Sequence, residues 1–340
     1  MKIKKAMAKK EKYSRVCIVD TTYTLFFYCL NYPVEEIKST FFFVGEGLLK
    51  SLREKLPYYH YFKKRKNIFH RFLLRLKLRL FSRLYWPFLK NTPICGEDHL
   101  TYSSGIIGNK KYTLLEDAPF IASLYFSSLA HKKNIKQRRF KLKNFLINSL
   151  FGPVFLKAFG ESAQCKELIF SQKDYSPSLE RQKIVVNPLY DLWSNSSIEK
   201  KEYILNLFDI NEKNITFLSS KSIILFTQPL VTDKVLSEQE QVEMYGKIIR
   251  QNPQQDILLK PHPRDHIDYT LYFPDIEIFN KPIPFQLLDL LNIRFKKAIT
   301  ISSSSVLSFS YDIEIEWIGT KIHPKLEAYY GEIKCPEVIK

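Results

Sequence analysis

Short apolar runs that each end in a polar cluster recur through residues 222–305, and this alternation leaves few folds open to the chain. The run in "KSIILF" leads to a loop with Asp233, the run Ile257–Leu259 ends at His262, and "KKAITIS" ends in serines. Between the first two runs, Ser237 and Glu240 have the spacing of a capping box, which predicts a helix. Strands that alternate with helices predict a Rossmann-like parallel α/β domain, which binds ligands at the carboxyl ends of its strands.

The amino-terminal part repeats this pattern. We predict a strand over Arg15–Val19, a turn at Asp20–Thr22, a buried helix from Tyr23 and a second strand in "STFFFVGEG". The apolar stretch "VCIVDTTYTLFFYCL" is interrupted by Asp20 and three threonines, so it falls short of the about twenty apolar residues that span a bilayer. A chain of 340 residues is long enough for two such domains.

Positive charge is concentrated in a few segments. Residues 51–90 hold twelve Lys or Arg against Glu54 alone, a net charge of +11, and residues 131–143 hold seven Lys or Arg and no acid. Within the first segment the arginines recur every fourth residue, while the apolar side chains lie on another side of the predicted helix. The arginines are Arg71, Arg75, Arg79 and Arg83, and the apolar side chains are Phe69, Phe72, Leu73, Leu76, Leu80 and Leu84.

Three interpretations of this basic amphipathic helix are open. It adsorbs to an anionic membrane surface, it is a solvated charged face above an ordinary core stripe, or it binds nucleic acid. No recognised DNA or RNA module accompanies the charge, so we expect no nucleic-acid partner. The five cysteines are scattered and lack metal-ligand spacing, which indicates a reducing cytoplasm and no zinc site.

The polar strand ends have the composition of a phosphate site. In "KPHPR", Lys260 and Arg264 flank His262 between two prolines, which restrict the backbone around the imidazole. Serine hydroxyls and N–H groups at a helix start bind phosphate, and the serine run consists of Ser302, Ser303, Ser304 and Ser305. A histidine beside a phosphate and a carboxylate such as Asp233 suit group transfer from a nucleotide donor. The sequence has no P-loop motif and no D-x-D for a metal-bound nucleotide sugar.

The order "TQPLVTDK … LLKPHPRD … NKPIPFQLL … ITISSSSV", over about residues 222–320, resembles the bacterial sialyltransferases of glycosyltransferase family 52, which decorate lipooligosaccharide and capsule. The resemblance implies a GT-B fold with two Rossmann-like domains that face a central cleft. It also implies a CMP-activated sugar donor, used without a metal or other cofactor. We expect an acceptor-side domain at 1–215 with the basic insertion, a nucleotide-sugar domain at 216–325, and a tail at 326–340 that packs back.

The resemblance also implies roles for single residues. His262 matches the histidine that meets the CMP phosphate as general acid, Ser303 and Ser304 match the phosphate-binding serines, and Asp233 resembles the family's general base. Glu116 and Asp117, in "LLEDAPF", resemble the acidic pair of the wider bacterial sialyltransferase group, which makes Asp117 a second candidate base.

Two positions depart from these patterns. Ala118 stands where the wider group usually has glycine, and Gln286 stands where the family tends to have a glutamate that holds the ribose hydroxyls. His323, in "KIHPK", is a second histidine followed by proline, and we interpret it as structural because no chemical groups surround it.

We therefore predict an inverting transferase that moves sialic acid from CMP-sialic acid to a hydroxyl of a lipooligosaccharide or capsule glycan. The predicted partners are the donor, an acceptor glycan that is lipid-linked, an anionic membrane surface at the inner face of the plasma membrane, and a second copy in a homodimer. The alternatives are a different nucleotide sugar, or a non-catalytic membrane-associated module of polysaccharide assembly.

Overall fold

Two compact units form the chain in the computed structural model: Met1–Ile204, called unit 1, and Leu205–Lys340, called unit 2. The structure describes residues 13–63, 67–119, 121, 138–173, 179, 183–262, 264–281 and 283–335. The two units divide earlier in the chain than the predicted boundary after residue 215, within a helix that spans Ile198–Leu207.

A parallel sheet forms the centre of unit 1. In the described residues it has seven strands in the order β3-β2-β1-β4-β5-β6-β7. The strands are β1 Arg15–Val19, β2 Thr40–Val44, β3 Tyr58–Tyr61, β4 Ile94–Gly96, β5 Tyr112–Leu115, β6 Cys165–Phe170 and β7 Lys183–Val186. Every residue of β2 is buried, as expected for a parallel strand that is covered on both faces.

Helices lie between and after these strands. They are α1 Thr22–Asn31, α2 Val34–Lys38, α3 Lys50–Arg53, α4 Ile68–Tyr85, α5 Ser103–Ile107, α6 Arg138–Phe151, α7 Leu189–Ser194 and α8 Ile198–Leu207. The predicted strand, turn and buried helix at the amino terminus are confirmed. Helix α1 begins after Thr21, whose hydroxyl accepts the Thr24 N–H and caps the first turn.

A second parallel sheet forms unit 2, with five strands within the described ranges, in the order β10-β9-β8-β11-β12. The strands are β8 Ile223–Phe226, β9 Ile257–Lys260, β10 Glu277–Ile278, β11 Lys297–Thr300 and β12 Glu314–Trp317. The helices are α9 Glu212–Leu218, α10 Glu238–Arg250, α11 Phe285–Leu290 and α12 Pro324–Tyr330. Both units are therefore Rossmann-like, as predicted.

Local signals in unit 2 behave largely as predicted. The capping box of α10 is present, since the Ser237 hydroxyl accepts the Glu240 N–H and the Glu240 carboxylate accepts the Ser237 N–H. The sequence "VLSFSY" after the serine run favours a helix, and this prediction is wrong, because the backbone forms only a short 3-10 helix at Ser304–Ser308. His323 is structural, as predicted: its Nδ1 accepts the Lys325 N–H at 3.2 Å and caps α12.

The predicted basic amphipathic helix is confirmed as α4. Its orientation is the reverse of the one in which the arginines face solvent and the apolar stripe faces the core. Leu78 and Ser82 are its buried residues, while Leu80 and Leu84 on the predicted core stripe are 51% and 72% exposed. The interpretation of a solvated arginine face above an apolar core stripe is therefore wrong. Three of the arginines instead donate to groups that face the inner side of the helix. In the described ranges no helix is both long and apolar enough to cross a bilayer.

Candidate functional site

The carboxyl end of β8 lies at the centre of the candidate site in unit 2. Strands β9 and β11 flank β8 in the sheet, so the chain turns to opposite sides at this point, and open α/β sheets bind ligands at such a switch. Thr227 directly follows β8, His262 follows β9 by one residue, and Ser302 follows β11 by one residue. The ends of β9 and β11 are two strand spacings, roughly 10 Å, apart.

His262 is held by two hydrogen bonds, one to the residue that follows β8 and one within its own turn. Its backbone N–H donates to Thr227 Oγ1 at 3.1 Å, and its Nδ1 accepts the Arg264 backbone N–H at 3.0 Å. A ring nitrogen that accepts a hydrogen bond carries no proton, so the neutral imidazole has its proton on Nε2. Burial, together with the charges of Arg264 and Lys260, lowers the pKa of His262 to about 4. His262 is therefore a neutral donor from Nε2.

The two cations of the "KPHPR" block make different contacts. Lys260 is buried, and its Nζ donates to the Lys281 carbonyl at 3.0 Å; burial lowers its pKa to about 8. Arg264 pairs with Asp233, with Nη1 at 2.8 Å from Oδ1 and Nη2 at 3.5 Å from Oδ2. The structure thus brings Lys260, His262, Arg264 and Asp233 together at one edge of the sheet.

A buried polar network that sequence reasoning missed supports the histidine turn. Thr227 Oγ1 donates to Asp265 Oδ2 at 2.6 Å, and the same carboxylate oxygen accepts from Gln241 Nε2 at 3.0 Å and from the Tyr269 hydroxyl at 2.8 Å. Burial raises the pKa of Asp265, although the hydrogen bonds from Thr227 and Tyr269 oppose this. Asp265 directly follows the motif, so a carboxylate beside "KPHPR" was the available signal.

The serine run forms a tight loop after β11. The Ser303 N–H donates to Thr300 Oγ1 at 2.9 Å, and the Ser303 hydroxyl accepts the Ser305 N–H at 3.3 Å. Ser302 and Ser305 are half-buried, and the side chain of Ser304 lies outside the described part. Gln286 is buried in the first turn of α11.

In unit 1 the sheet switches direction between β1 and β4, and acidic side chains meet there. Asp20 follows β1, Glu97 and His99 follow β4, and Asp117 follows β5. Glu97 Oε1 accepts the backbone N–H groups of Asp20 at 2.7 Å and Thr21 at 3.1 Å. His99 Nε2 lies 3.8 Å from Glu97 Oε2 and 3.7 Å from Asp117 Oδ2. We call Asp20, Glu97, His99 and Asp117 the acidic cluster.

The pKa values of the acidic cluster are shifted by burial and by the neighbouring charges. Burial raises the pKa of Glu97 to about 8, and the carboxylates of Asp117 and Asp20 act in the same direction. Burial also raises the pKa of Asp117, against the charge of His99. The His99 imidazole is stacked on Phe159 at 4.9 Å, and burial opposes its protonation. The neighbouring carboxylates outweigh that burial and raise the pKa of His99.

The acidic cluster also includes the potential metal ligands. Within the part of the chain that the structure describes, Glu97, His99 and Asp117 each offer one ligand atom, and these atoms lie within 4.8 Å of one another. The buried Glu97 Oε2 has no hydrogen-bond partner among the described residues. The same three groups also fit a protonated imidazole between two carboxyl groups.

The structure separates the two members of the predicted acidic pair. Asp117 belongs to the acidic cluster, whereas Glu116 Oε1 accepts from the Tyr23 hydroxyl and from the Ser171 N–H at 2.9 Å. Glu116 therefore ties the end of β5 to α1 and to the end of β6. Sequence reasoning missed Glu97 and His99, although "EDH" directly after a short strand was a usable signal.

Comparison with known proteins gives both family and fold. The sequence profile of glycosyltransferase family 52 matches residues 121–326. An uncharacterized protein of Haemophilus influenzae is 32% identical over 263 residues, 77% of each chain. An alpha/beta-galactoside alpha-2,3-sialyltransferase from Photobacterium phosphoreum matches with a TM-score of 0.55, 14% identity and 89% coverage of each chain.

Two further solved structures are similar. A 2,6-sialyltransferase from a Photobacterium species, in a complex with CMP and lactose, has a TM-score of 0.52 and 11% identity over 89% of this chain and 71% of that one. The GT-B domain of a Photobacterium damselae sialyltransferase has a TM-score of 0.51 and 14% identity over 89% and 90% of the two chains. These likenesses show the GT-B fold.

Proposed function

The chain belongs to glycosyltransferase family 52 and is a glycosyltransferase of GT-B fold, and on that premise we propose that it transfers sialic acid from CMP-sialic acid to a sugar hydroxyl. The proposed acceptor is a lipid-linked surface glycan, of lipooligosaccharide or capsule, that is modified at the inner face of the plasma membrane. The family and the sialyltransferase neighbours support the sugar class, and the geometry at the end of β8 supports the phosphate-bearing donor.

The observation that carries this proposal is the fixed neutral imidazole of His262. Its Nε2–H is a donor at the carboxyl end of β9, beside the switch point. Lys260 is the last residue of the same strand, and the serine loop follows β11, on the other side of β8. A hydrogen bond from Nε2–H to the phosphate oxygen strengthens as that oxygen gains charge during bond cleavage. CMP leaves as a phosphate with a second pKa of about 6, so departure at neutral pH needs stabilisation more than a full proton transfer. We therefore assign His262 a hydrogen bond to the leaving phosphate, in place of the general-acid role that the resemblance implies.

We propose a single displacement with inversion. The acceptor oxygen forms a bond to the anomeric carbon of the sialic acid, the bond from that carbon to the phosphate oxygen breaks, and CMP leaves with the electron pair. The acceptor proton passes to a carboxylate. Asp117 is the better supported base, because burial raises its pKa and makes it a stronger proton acceptor. Both oxygens of Asp233 face the Arg264 guanidinium instead.

Titration of the purified protein with CMP, UDP and ADP by calorimetry tests the donor. We expect CMP to bind most tightly. Preference for UDP or ADP would move the function to another nucleotide sugar. Release of CMP from CMP-sialic acid, with lactose as a first soluble acceptor, then tests the transfer.

A further inference from the structure

Helix α4 turns its arginines toward the protein. Arg75 Nε donates to the Thr101 carbonyl at 3.3 Å, and Arg79 Nη2 donates to Asn109 Oδ1 at 3.2 Å. Arg83 donates from Nη1 to the Gly105 carbonyl at 2.8 Å and from Nη2 to the Ile107 carbonyl at 2.7 Å. These carbonyls end helix α5, so Arg83 caps that helix. These three arginines are therefore part of the internal packing of unit 1.

The opposite side of α4 is apolar and faces outward. The exposed fractions are 60% for Phe69, 42% for Leu73, 51% for Leu80, 44% for Phe81 and 72% for Leu84. These positions recur at helical spacing, so they form one continuous side, which we call the outer side. A single exposed leucine is ordinary, but a whole helix side of Phe and Leu marks an interaction surface.

Helix α6 adds a second exposed apolar element. It packs against α4, and it exposes Phe145, Leu146 and Leu150 by 67%, 54% and 77%. The chain that follows α6 fixes this arrangement, because the Phe155 ring stacks on Phe72 and lies under the Arg75 guanidinium. Two neighbouring helices therefore present large apolar side chains to the surroundings.

We propose that the outer side of α4 docks into the interface of an anionic lipid bilayer, with α4 lying parallel to the membrane plane. Phe and Leu side chains on a surface helix that is bordered by basic residues suit this position, because the rings and chains enter the acyl boundary while cations meet the headgroups. Lys77 lies among the outer residues and packs along the Tyr85 ring at 5.7 Å, so its ammonium group can reach the headgroups. Residues 51–90 carry a net charge of +11, which attracts the surface.

Charge also favours a bilayer over a second copy of this chain. Each chain has a formal net charge of +17, and residues 51–90 and 131–143 carry +11 and +7, so the rest of the chain has a net charge of only −1. A dimer through α4 would bring two like-charged segments together, whereas an anionic lipid surface neutralises them. The proposal does not rest on the transferase activity. It replaces docking through the arginines with docking through Phe69, Leu73, Leu80, Phe81 and Leu84.

Flotation with vesicles tests the surface. The probes are vesicles of phosphatidylcholine alone and of phosphatidylcholine mixed with phosphatidylglycerol. The variant combines Phe69→Ser, Leu80→Ser and Leu84→Ser, and the matched control combines Ile198→Ser, Leu271→Ser and Tyr329→Ser, which are 76%, 76% and 62% exposed elsewhere on the chain. We expect the variant to lose at least about tenfold in partitioning to anionic vesicles, and the control to partition like the unmodified protein.

Two further measurements keep the result interpretable. Thermal unfolding should be unchanged in both variants, since every substituted side chain is exposed, and sedimentation should give one mass for all three proteins. Added salt should weaken binding without abolishing it, because the apolar part is not screened. Unchanged partitioning of the variant, or no binding by the unmodified protein, overturns the proposal. A dimer that only the outer-side variant breaks also overturns it and makes the outer side an interface between copies.

Discussion

His262 accepts the backbone N–H of Arg264 at its Nδ1, and His323 accepts that of Lys325 in the same way, at 3.0 and 3.2 Å. The contact is therefore a local property of histidine–proline turns and does not by itself indicate function. The two residues differ in their surroundings. His323 caps helix α12, whereas His262 lies beside Lys260 and Arg264 at the end of β9. His323 is thus an internal control for His262.

The first prediction compares these two histidines. His262→Ala should reduce turnover by about 10²–10⁴-fold, since it removes a positioned donor to the leaving phosphate. His323→Ala should leave turnover within about twofold and instead lower stability by about 1 kcal/mol, the usual cost of a lost helix cap. Steady-state kinetics and thermal unfolding measure both effects. Equal turnover of the two variants would show that His262 has no catalytic role.

The second prediction concerns pH. The pKa of His262, about 4, lies below the ordinary value for histidine, so the neutral form is favoured in the folded state. The stability that this provides is fully present above about pH 6.5 and is lost as the pH falls toward 4. We expect kcat/KM to show no His262 inflection between about pH 5 and 8, because this parameter reports the free enzyme. An inflection near pH 6.5 that disappears in His262→Gln would contradict a neutral imidazole.

The third prediction separates the two candidate bases. Asp117→Asn should lower kcat by about 10³-fold with CMP affinity retained, because the amide cannot accept the proton. Asp233→Asn should chiefly weaken CMP binding, since it breaks the ion pair that orients Arg264 beside His262. Turnover measured together with CMP calorimetry distinguishes the two. A dead Asp233→Asn that still binds CMP, next to an active Asp117→Asn, would reverse the assignment.

The fourth prediction uses the buried carboxyl group of Glu97. Its pKa in the fold, about 8, lies above the ordinary value, so folding favours the protonated form. Stability that depends on Glu97 is present below about pH 4.5 and declines as the pH rises toward 8. Glu97→Gln keeps an oxygen for the Asp20 and Thr21 N–H groups and cannot ionise. Its unfolding free energy should exceed that of the unmodified protein more at pH 8 than at pH 5, and a constant difference would contradict this.

The fifth prediction tests the inward arginines. Arg83→Gln should lower the unfolding free energy by about 1–3 kcal/mol, because the hydrogen bonds from the charged guanidinium to the Gly105 and Ile107 carbonyls at the end of α5 are lost. Lys77→Gln, on the outer side of the same helix, is the control and should change stability by less than about 0.5 kcal/mol. Denaturant unfolding measures both. Equal effects would mean that the charge of Arg83 is solvated, contrary to its contacts.

Much of the fold was readable from local patterns. The strands of unit 2 are short apolar runs, and the capping box at Ser237 and Glu240 is satisfied by neighbouring residues, so adjacent sequence held the information. The polar cluster around His262, at the end of β9, was predictable for the same reason. In a parallel sheet, the polar residue after each buried strand reaches the ligand edge.

The acidic cluster and the orientation of α4 could not be predicted, because both depend on contacts between segments that are distant in the sequence. His99 and Asp117 meet only because β4 and β5 are neighbours in the sheet, and spacing along the chain carries no record of that pairing. The orientation of α4 was hidden for a related reason. The acceptors of Arg75, Arg79 and Arg83 are mostly main-chain carbonyls of residues 101–107, and any sequence offers carbonyls. The pattern of apolar residues in the sequence therefore indicated the wrong side of α4 as the one that faces the protein.

The partners of the inward arginines are synthesised after the helix itself. The groups that satisfy α4 on its inner side belong to residues 101–109, which leave the ribosome after the helix does. Until then water solvates these guanidinium groups, whereas the outer side has no hydrogen-bond partner to wait for among residues 101–109. On the proposed docking, the side of α4 that meets lipid is therefore complete before the side that packs inward, and membrane attachment does not require the finished domain.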